Sequence, residues 1–446
     1  MTITTEEEKA TGLPAPTISD PDSVEQTLGQ ETIEASPPTQ VSPSVPDGGR
    51  EAWLVVAGSM IALFHTWGVV NSFGVYQTYY ETELLSTSSS SDISWIGSLQ
   101  ASLLMMGGVF AGPLYDAGYF RQMLIAGNFL VILGMFMTSL CTKYWQVVLA
   151  QGVCVGLGCA IMFLPSAAVV SQWFAKRRAL ALGVQSVGSP IAGIVLPIIF
   201  GQLQPKIGFG WATRVIAFLM LALSAIPIVF MKTRVPPSAQ KRAFFDKSVA
   251  TDAPFLVFIA ANFFAFIGLY VPFFYVQLYS IEYGISSVEF SPYFITILNA
   301  GSVLGRLLPN YLADHFGSVH VLILVSFAAA VLAFAWMGIT NLAGLIVFCI
   351  LYGAFSGGVV SVTPSAIVPY CPDMGRLGTR MGLSFFLSGI SVLIGTPIGG
   401  AILGNGSDQA WKGIIAYSGA TLLIAAVLLS LSLFLHRKRA REKGTS

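Results

Sequence analysis

The chain has 446 residues, of which 54% are hydrophobic and only 10% are charged. About a quarter of the residues of a soluble globular protein carry charge, so this composition excludes an ordinary soluble protein. The net charge of +1 gives no reason to expect nucleic acid or a strongly acidic macromolecule as a partner.

The first 46 residues are rich in Ser, Thr, Pro and acidic side chains. Such a segment buries too little apolar surface to offset the entropy lost on ordering, so we predict that residues 1–46 form a disordered tail. No apolar stretch of the kind found in signal peptides precedes Trp53. The first membrane segment is therefore expected to direct insertion itself.

Twelve apolar stretches follow the tail. Each is long enough to cross a bilayer, because a spanning helix needs roughly 20 apolar residues. The predicted fold is therefore an all-α membrane protein with twelve transmembrane helices. The predicted spans are 52–76, 94–115, 121–140, 145–170, 179–203, 211–231, 254–279, 291–312, 319–338, 342–369, 379–402 and 411–435.

A polar and basic linker at 232–253 divides these spans into two bundles of six. The predicted domains are an N-terminal bundle at 47–231, a C-terminal bundle at 254–435 and a basic tail at 436–446. Placing both ends in the cytoplasm puts 18 Lys and Arg residues on the cytoplasmic side and 4 on the other side. Because basic residues favour the cytoplasmic side, the sequence predicts that both termini are cytoplasmic.

Short motifs recur between the two halves in the same order along the chain. The recurring motifs begin at Asp116 and Asp314, at Pro165 and Pro364, and at Gly188 and Gly395, with offsets of 198, 199 and 207 residues. Three recurrences predict two related bundles with pseudo-symmetry between them. In transporters built from such repeats the cavity lies between the halves, near the middle of the bilayer.

Several motifs resemble those of a known family. Asp-Gly-Gly-Arg-Glu-Ala-Trp at 47–53 precedes the first span, and a basic motif at 173–183 leads into the fifth. The loops at 112–121 and 310–317 follow the second and eighth spans, and 71–76 ends the first. From residue 47 to about 436 the chain resembles the major facilitator superfamily, and within it the fungal form of the monocarboxylate porter family.

The resemblance implies a secondary active transporter that works by alternating access, and not an enzyme. The expected cargo is a small carboxylate or an organic secondary metabolite. Two alternatives remain open: an efflux pump for a drug or for the product of a biosynthetic gene cluster, and a nutrient sensor of the same fold that does not transport. No phosphate-binding glycine-rich loop and no His or Cys metal spacing is present in the sequence, so neither a cofactor nor a metal is predicted.

The expected partners are a small-molecule substrate and the lipid bilayer, with the protein acting as a monomer. A co-transported proton is a further alternative. The plasma membrane is the expected location, and the vacuolar membrane is the alternative.

Arg306 lies inside the eighth predicted span, eight residues before Asp314 and hence about 12 Å deeper in the membrane. A lone arginine at that depth costs at least ~2.5 kcal/mol unless it faces a cavity or a partner. Its guanidinium can hold a carboxylate through two parallel hydrogen bonds, and the resemblance implies an arginine at this place. The alternative is a structural arginine bonded to carbonyl groups or water.

Two residues depart from the pattern of proton-coupled lactate transporters. Ser302 stands where those proteins have an acid, and Asn71 stands where they have a lysine. The proton-coupling mechanism therefore cannot be transferred to this chain. His65 is the remaining buried titratable candidate, although a lone histidine in an apolar span is more often part of the packed core.

Other polar residues inside the spans need a partner or a water-lined cavity, because lipid offers neither. The resemblance implies that the first, fourth, seventh and tenth helices line the cavity, which favours Asn71 and Asn262. Tyr270 precedes Pro272 in an aromatic span and is suited to a flat cargo. The predicted substrate-binding residues are Arg306, Asn71, Asn299, Asn262 and Tyr270.

Three charged residues at span ends form a predicted conformational latch: Asp116, Arg121 and Asp314. In the superfamily their counterparts bond to neighbouring helix ends and hold one conformation; the alternative is that these are solvated residues needed only for folding. Asn405 begins an Asn-Gly-Ser sequon and is a candidate glycosylation site, unless so short a loop is out of reach.

Overall fold

Helices account for all the regular secondary structure in the part of the chain that the computed structural model describes. The described residues are 47–174, 177–234, 247–371, 377–404, 406–442 and 444. The predicted tail at 1–46, residues 235–246 of the predicted linker, and Asn405 lie outside them.

The helices make twelve crossings, as the sequence predicts. Nine helices of the described residues are long and apolar enough to cross a membrane. The longest of them counts as two crossings, and the interrupted span 1 and the more polar span 8 complete the set. In the N-terminal half the bounds are Arg50–His65, Trp67–Asn71, Phe73–Tyr79 and the π-helical turn Tyr80–Leu84 for span 1; Ser90–Met106 and Gly108–Asp116 for span 2; Phe120–Thr138 for span 3; Tyr144–Val147, the π-helical Val148–Val155 and Gly156–Val170 for span 4; Arg178–Ser186 and the first part of Gly188–Phe230 for span 5; and the second part of Gly188–Phe230 for span 6. In the C-terminal half they are Ala253–Leu269 and Val271–Glu282 for span 7; Tyr293–Phe316 for span 8; Ser318–Trp336 for span 9; Leu342–Ile367 for span 10; Leu377–Leu403 for span 11; and Asp408–Glu442 for span 12. Short 3-10 turns lie at Lys247–Thr251 and Val368–Tyr370.

The helix Gly188–Phe230 is divided at Gly208, whose backbone is not helical (φ 77°, ψ 165°). A positive φ is readily adopted by glycine, which has no Cβ to clash with the backbone. The chain reverses direction at this residue. Spans 5 and 6 are therefore 178–207 and 209–230, close to the predicted boundaries.

The twelve crossings place both termini of the bundle at one end, which we call the proximal end and which holds residues 50 and 442. The opposite, distal end holds the loop 85–89 between spans 1 and 2. The sequence predicts an even number of crossings, and an even number places the two termini at the same end of the bundle.

A buried ion-pair cluster ties three spans together at the proximal end. The carboxylate of Asp252, just before span 7, accepts hydrogen bonds from Arg380 of span 11 at 2.6 Å and from Arg439 of span 12 at 2.9 Å. Arg380 is 1% exposed and also donates to the carbonyl of Tyr370 at 2.6 Å. A buried charge is stable only with such partners, because burial removes its hydration.

Glycines let spans 8 and 10 approach each other closely. A Cβ added to Gly305 would overlap the carbonyl of Ala354, and one added to Gly353 would overlap the carbonyl of Leu298. Small residues four apart on a helix permit this contact between backbones in a membrane. This close contact holds Arg306, the neighbour of Gly305, in a fixed position.

The two halves are joined at the distal end. Bonds of this kind include those from span 2 to span 11 and from span 5 to span 8: Ser91 Oγ to the Pro397 carbonyl at 2.9 Å, the hydroxyls of Ser98 and Thr396, and Gln202 Nε2 to the Tyr293 hydroxyl at 2.9 Å. Among the described side chains, the bonds between the halves run from this end to the level of Arg306. The structure is thus a conformation closed on its distal side.

Candidate functional site

A small cavity lies between the two halves, midway along span 8; in this conformation its volume is about 10 Å³, room for a single water molecule. Spans 1, 7, 8 and 10 contribute its walls. The polar and aromatic residues that line it are Asn71, Tyr270, Phe273, Ser302, Arg306 and Ser356. This is the central position that the repeated motifs predict.

Arg306 is only 5% exposed and faces this cavity. Its Nη2 donates to Ser189 Oγ across the halves at 3.4 Å, a long hydrogen bond. Its Nε has no hydrogen-bond partner among the described residues, and no ion pair of Arg306 is recorded among them. A buried guanidinium with spare donors is suited to binding a carboxylate through two parallel hydrogen bonds.

Two asparagines connect the halves beside the arginine. Asn71 of span 1 donates from Nδ2 to Ser189 Oγ at 3.0 Å, so Ser189 is shared between Asn71 and Arg306. Asn299 of span 8 donates from Nδ2 to the Asn71 carbonyl at 3.5 Å, and its Oδ1 has no partner within the described part of the chain. Gly193 makes room for it, because a Cβ there would overlap the Asn299 amide.

Aromatic rings form one wall of the site. The ring of Tyr270 is stacked with that of Trp67 at 6.5 Å and 12°, and Trp67 meets Phe163 edge-on at 5.7 Å. Tyr270 lies at the break between the two helices of span 7, where Pro272 cannot donate a backbone hydrogen bond. Such a wall accommodates a flat apolar group.

The structure brings four of the five predicted substrate-binding residues together and places Asn262 elsewhere. Asn262 lies eight residues before Tyr270, about 12 Å along the helix. Its Nδ2 donates to the Phe258 carbonyl at 3.1 Å, and its Oδ1 accepts from Thr363 of span 10 at 3.4 Å. In this conformation Asn262 links two spans of the C-terminal half.

Sequence reasoning did not single out Trp67 or Ser189 as site residues. Trp67 is one helical turn before Asn71, so its place on the same face could have been read from the spacing. Ser189 stands in the repeated Gly-Ser-Pro motif of span 5, but only the fold shows that this motif meets span 8.

The remaining predicted residues lie away from the cavity. Asp116 ends span 2, and its side chain is outside the described part of the structure. Arg121 and Asp314 are exposed, and no ion pair is recorded for either among the described residues. The latch therefore stays a prediction. His65 is fully buried and its Nδ1 is 2.8 Å from Asn128 Oδ1.

Comparison with known sequences and structures identifies relatives of the whole bundle. The sequence model of the Major Facilitator Superfamily matches residues 53–361 and 294–446. The "MFS-type transporter dbaD" of Emericella nidulans is 41% identical over 386 residues, which is 86% of this chain and 87% of that protein. The "Aspyridones efflux protein apdF" of Emericella nidulans is 37% identical over 415 residues, 92% of this chain and 84% of that protein. The "MFS-type transporter pynF" of Aspergillus niger is 37% identical over 395 residues, 88% of this chain and 91% of that protein.

Two solved structures share the fold. The nucleoside transporter NupG superposes with a TM-score of 0.67 over 85% of this chain and 99% of its own, at 13% identity. The peptide transporter POT gives a TM-score of 0.68 over 88% of this chain and 97% of its own, also at 13% identity. At this level of identity the likeness concerns the fold alone.

Proposed function

We propose, from the premise that the chain belongs to the Major Facilitator Superfamily, that it exports an organic acid with a flat apolar body by alternating access. The protein is a multi-pass membrane transporter and not an enzyme. A secondary metabolite of a fungus is the kind of cargo that fits this description.

The observation that carries the proposal is the cavity beside Arg306. The guanidinium offers hydrogen bonds to one carboxylate, and the rings of Tyr270 and Phe273, which line the same cavity, offer an apolar surface next to it. A ligand that has both a carboxylate and a flat apolar group accepts the free hydrogen bonds of the guanidinium and at the same time buries its apolar surface. The resemblance to monocarboxylate porters implies an arginine at this place, which is consistent with an acidic cargo.

Ser302 and Asn71 line the same cavity, where proton-coupled lactate transporters have an acid and a lysine. The site therefore lacks a pair of charges suited to a small hydrophilic acid and its proton. A larger and more apolar acid matches the walls better than lactate does.

Export is the direction that the names of the relatives support, since one of them is an aspyridones efflux protein. With both termini in the cytoplasm, the distal end faces outward. The conformation closed at that end is then the one that loads cargo from the cell. We place the transporter in the plasma membrane.

The test is transport by the purified protein in lipid vesicles without ATP. We expect labelled aromatic carboxylic acids to exchange across the membrane faster than in protein-free vesicles, and unlabelled secondary-metabolite acids to compete with them. A sugar or a nucleoside of similar size is the control and should not compete. Exchange that requires ATP, or no acceleration for any of the acids, would contradict the proposal.

A further inference from the structure

Two carboxylates occupy matching places in the two halves at the distal end. Glu81 lies in the π-helical turn that ends span 1, and Glu282, the last residue of span 7, follows it by 201 residues. This offset falls within the range of 198 to 207 residues that separates the recurring motifs. Glu282 accepts a hydrogen bond from Trp411 Nε1 of span 12 at 2.7 Å.

Glu81 has polar partners but no recorded cationic partner in the described part of the chain. Its Oε1 accepts from Gln77 Nε2, four residues earlier in span 1. Gln77 is fully buried, and its Oε1 has no partner among the described residues. An ionised carboxylate can only accept hydrogen bonds, so it cannot satisfy that oxygen.

A protonated Glu81 supplies the donor that the Gln77 oxygen needs. Its O–H is a donor beside the same amide, so the acid and the amide can exchange two hydrogen bonds, one in each direction. The buried carbonyl oxygen of Gln77 is then paired, as buried polar atoms normally are. The closed structure thus has a place for one proton between Gln77 and Glu81.

This acid belongs to the chain of bonds that closes the distal end. Gln77 Nε2 is 3.4 Å from Ser94 Oγ, which bonds across the halves to the hydroxyl of Tyr275. The Tyr275 hydroxyl in turn donates to the Thr396 carbonyl at 3.5 Å. Any change in the charge of Glu81 therefore acts directly on the contact between the halves.

The other ionisable groups nearby are acidic or phenolic. From span 7 they are Glu282 and Tyr275. On the turn of Glu81 itself, Glu83 is exposed, with Oε2 at 3.5 Å from Gln204 Nε2, and Asp92 at the start of span 2 is exposed and bonded to Ser89. Ionisation of Glu81 therefore adds one more negative charge to this group of acidic side chains.

We propose that Glu81 is a proton-binding site of the distal gate, protonated while the gate is closed and ionised when it opens. Opening separates the two halves at the distal end and exposes the half-buried carboxylate of Glu81 more fully to water, which favours the charged form. Closing takes up one proton. The pH of the compartment at the distal end therefore biases the conformation, whatever the cargo is.

The experiment measures gate opening directly, so it does not depend on the proposed cargo. Spin labels at Lys206→Cys and Val288→Cys, two exposed positions at the distal ends of span 5 and of the segment before span 8, report the distance between the halves in lipid nanodiscs by pulsed electron resonance. We expect the closed-to-open ratio to fall by up to tenfold for each pH unit over the range in which closing takes up one proton, as linkage requires. Glu81→Gln should stay closed throughout and lose this dependence, while Glu83→Gln on the same turn should keep it.

An unchanged pH profile in Glu81→Gln, or a parent protein whose distances do not respond to pH, overturns the proposal. If Glu81→Gln does not fold, Gln77→Leu serves instead. It keeps the acid but removes its amide partner, so the midpoint of the transition must move. A midpoint that stays in place overturns the proposal equally.

Discussion

At the scale of single residues, the site depends on the positive charge of Arg306, whose hydrogen-bond donors the protein satisfies only in part. Arg306 is buried, its recorded side-chain hydrogen bond is the long one to Ser189, and that hydroxyl also accepts from Asn71. A buried cation in this position keeps most of its hydrogen-bonding capacity for a ligand. Its electrostatic attraction to an anion is strong because water is largely excluded.

The role of Arg306 can be tested by separating its charge from its shape. We expect Arg306→Gln to lower transport of an aromatic acid by roughly thirtyfold or more, since losing one partner of a buried charged pair costs about 2–5 kcal/mol. Arg306→Lys keeps the charge but loses the planar fork, and should retain part of the activity. Initial exchange rates in vesicles provide the measurement.

Lys412→Gln is the matched control, because it removes an exposed positive charge of span 12 at the distal end and should leave the rate unchanged. Equal transport of the acid by Arg306→Gln and the parent protein would rule out the arginine as the anchor.

At the scale of helices, two of the four spans that line the cavity, spans 1 and 7, are interrupted at matching depths. Span 1 is broken at Thr66 and at Ser72, and span 7 at Tyr270. The breaks free backbone groups beside the cavity, and the Asn71 carbonyl between them accepts from Asn299. Irregular backbone is tolerated at membrane depth only where protein or a cavity surrounds it.

The contact between spans 8 and 10 gives an element-scale prediction. We expect Gly305→Leu to destabilise the protein by about 1–3 kcal/mol, because the new side chain meets the Ala354 carbonyl and overpacks the contact. The displacement also moves Arg306. A thermal melt of the purified protein should show a lower midpoint.

Gly108→Leu is the control for this substitution. It places the same side chain on span 2, where a Cβ meets nothing within 4 Å. The two variants should therefore differ clearly in stability, and similar melting midpoints would show that the contact between spans 8 and 10 is not close.

At the scale of the whole molecule, the two halves meet at the distal end and are expected to separate there during transport. Spans 5 and 8 provide a place to prevent this. A Cβ built on Gly201 lies 3.1 Å from the Cβ of Pro292, near the 3.5–4.5 Å that a disulfide needs. The two positions belong to different halves of the chain.

We therefore expect the double variant Gly201→Cys with Pro292→Cys to lose nearly all transport on oxidation and to regain it on reduction. Loss of maleimide labelling would confirm that the disulfide has formed, and each single variant is the control for the native cysteines. Full transport by the oxidised, cross-linked protein would show that the distal end does not need to open.

The sequence by itself determined the properties that follow from local composition and periodicity. Long uncharged stretches required twelve membrane helices, because their backbone groups must be paired within the helix when no water is present. The recurring motifs indicated two related halves. The depth of Arg306 within its span indicated a central cavity, and the cavity beside Arg306 is where the motifs placed it.

Only the tertiary structure decided which polar residues meet. Asn71 and Asn299 are 228 residues apart and come together beside Arg306, while Asn262, which looked equally suitable, is bonded to Thr363. Which polar side chains meet depends on the rotation of each helix about its axis. In spans that are apolar on nearly every face, the sequence contains no periodic pattern that predicts this rotation. The contact of Ser94 with Tyr275, which links the network of Gln77 and Glu81 to the other half, depends in the same way on how the two halves are joined.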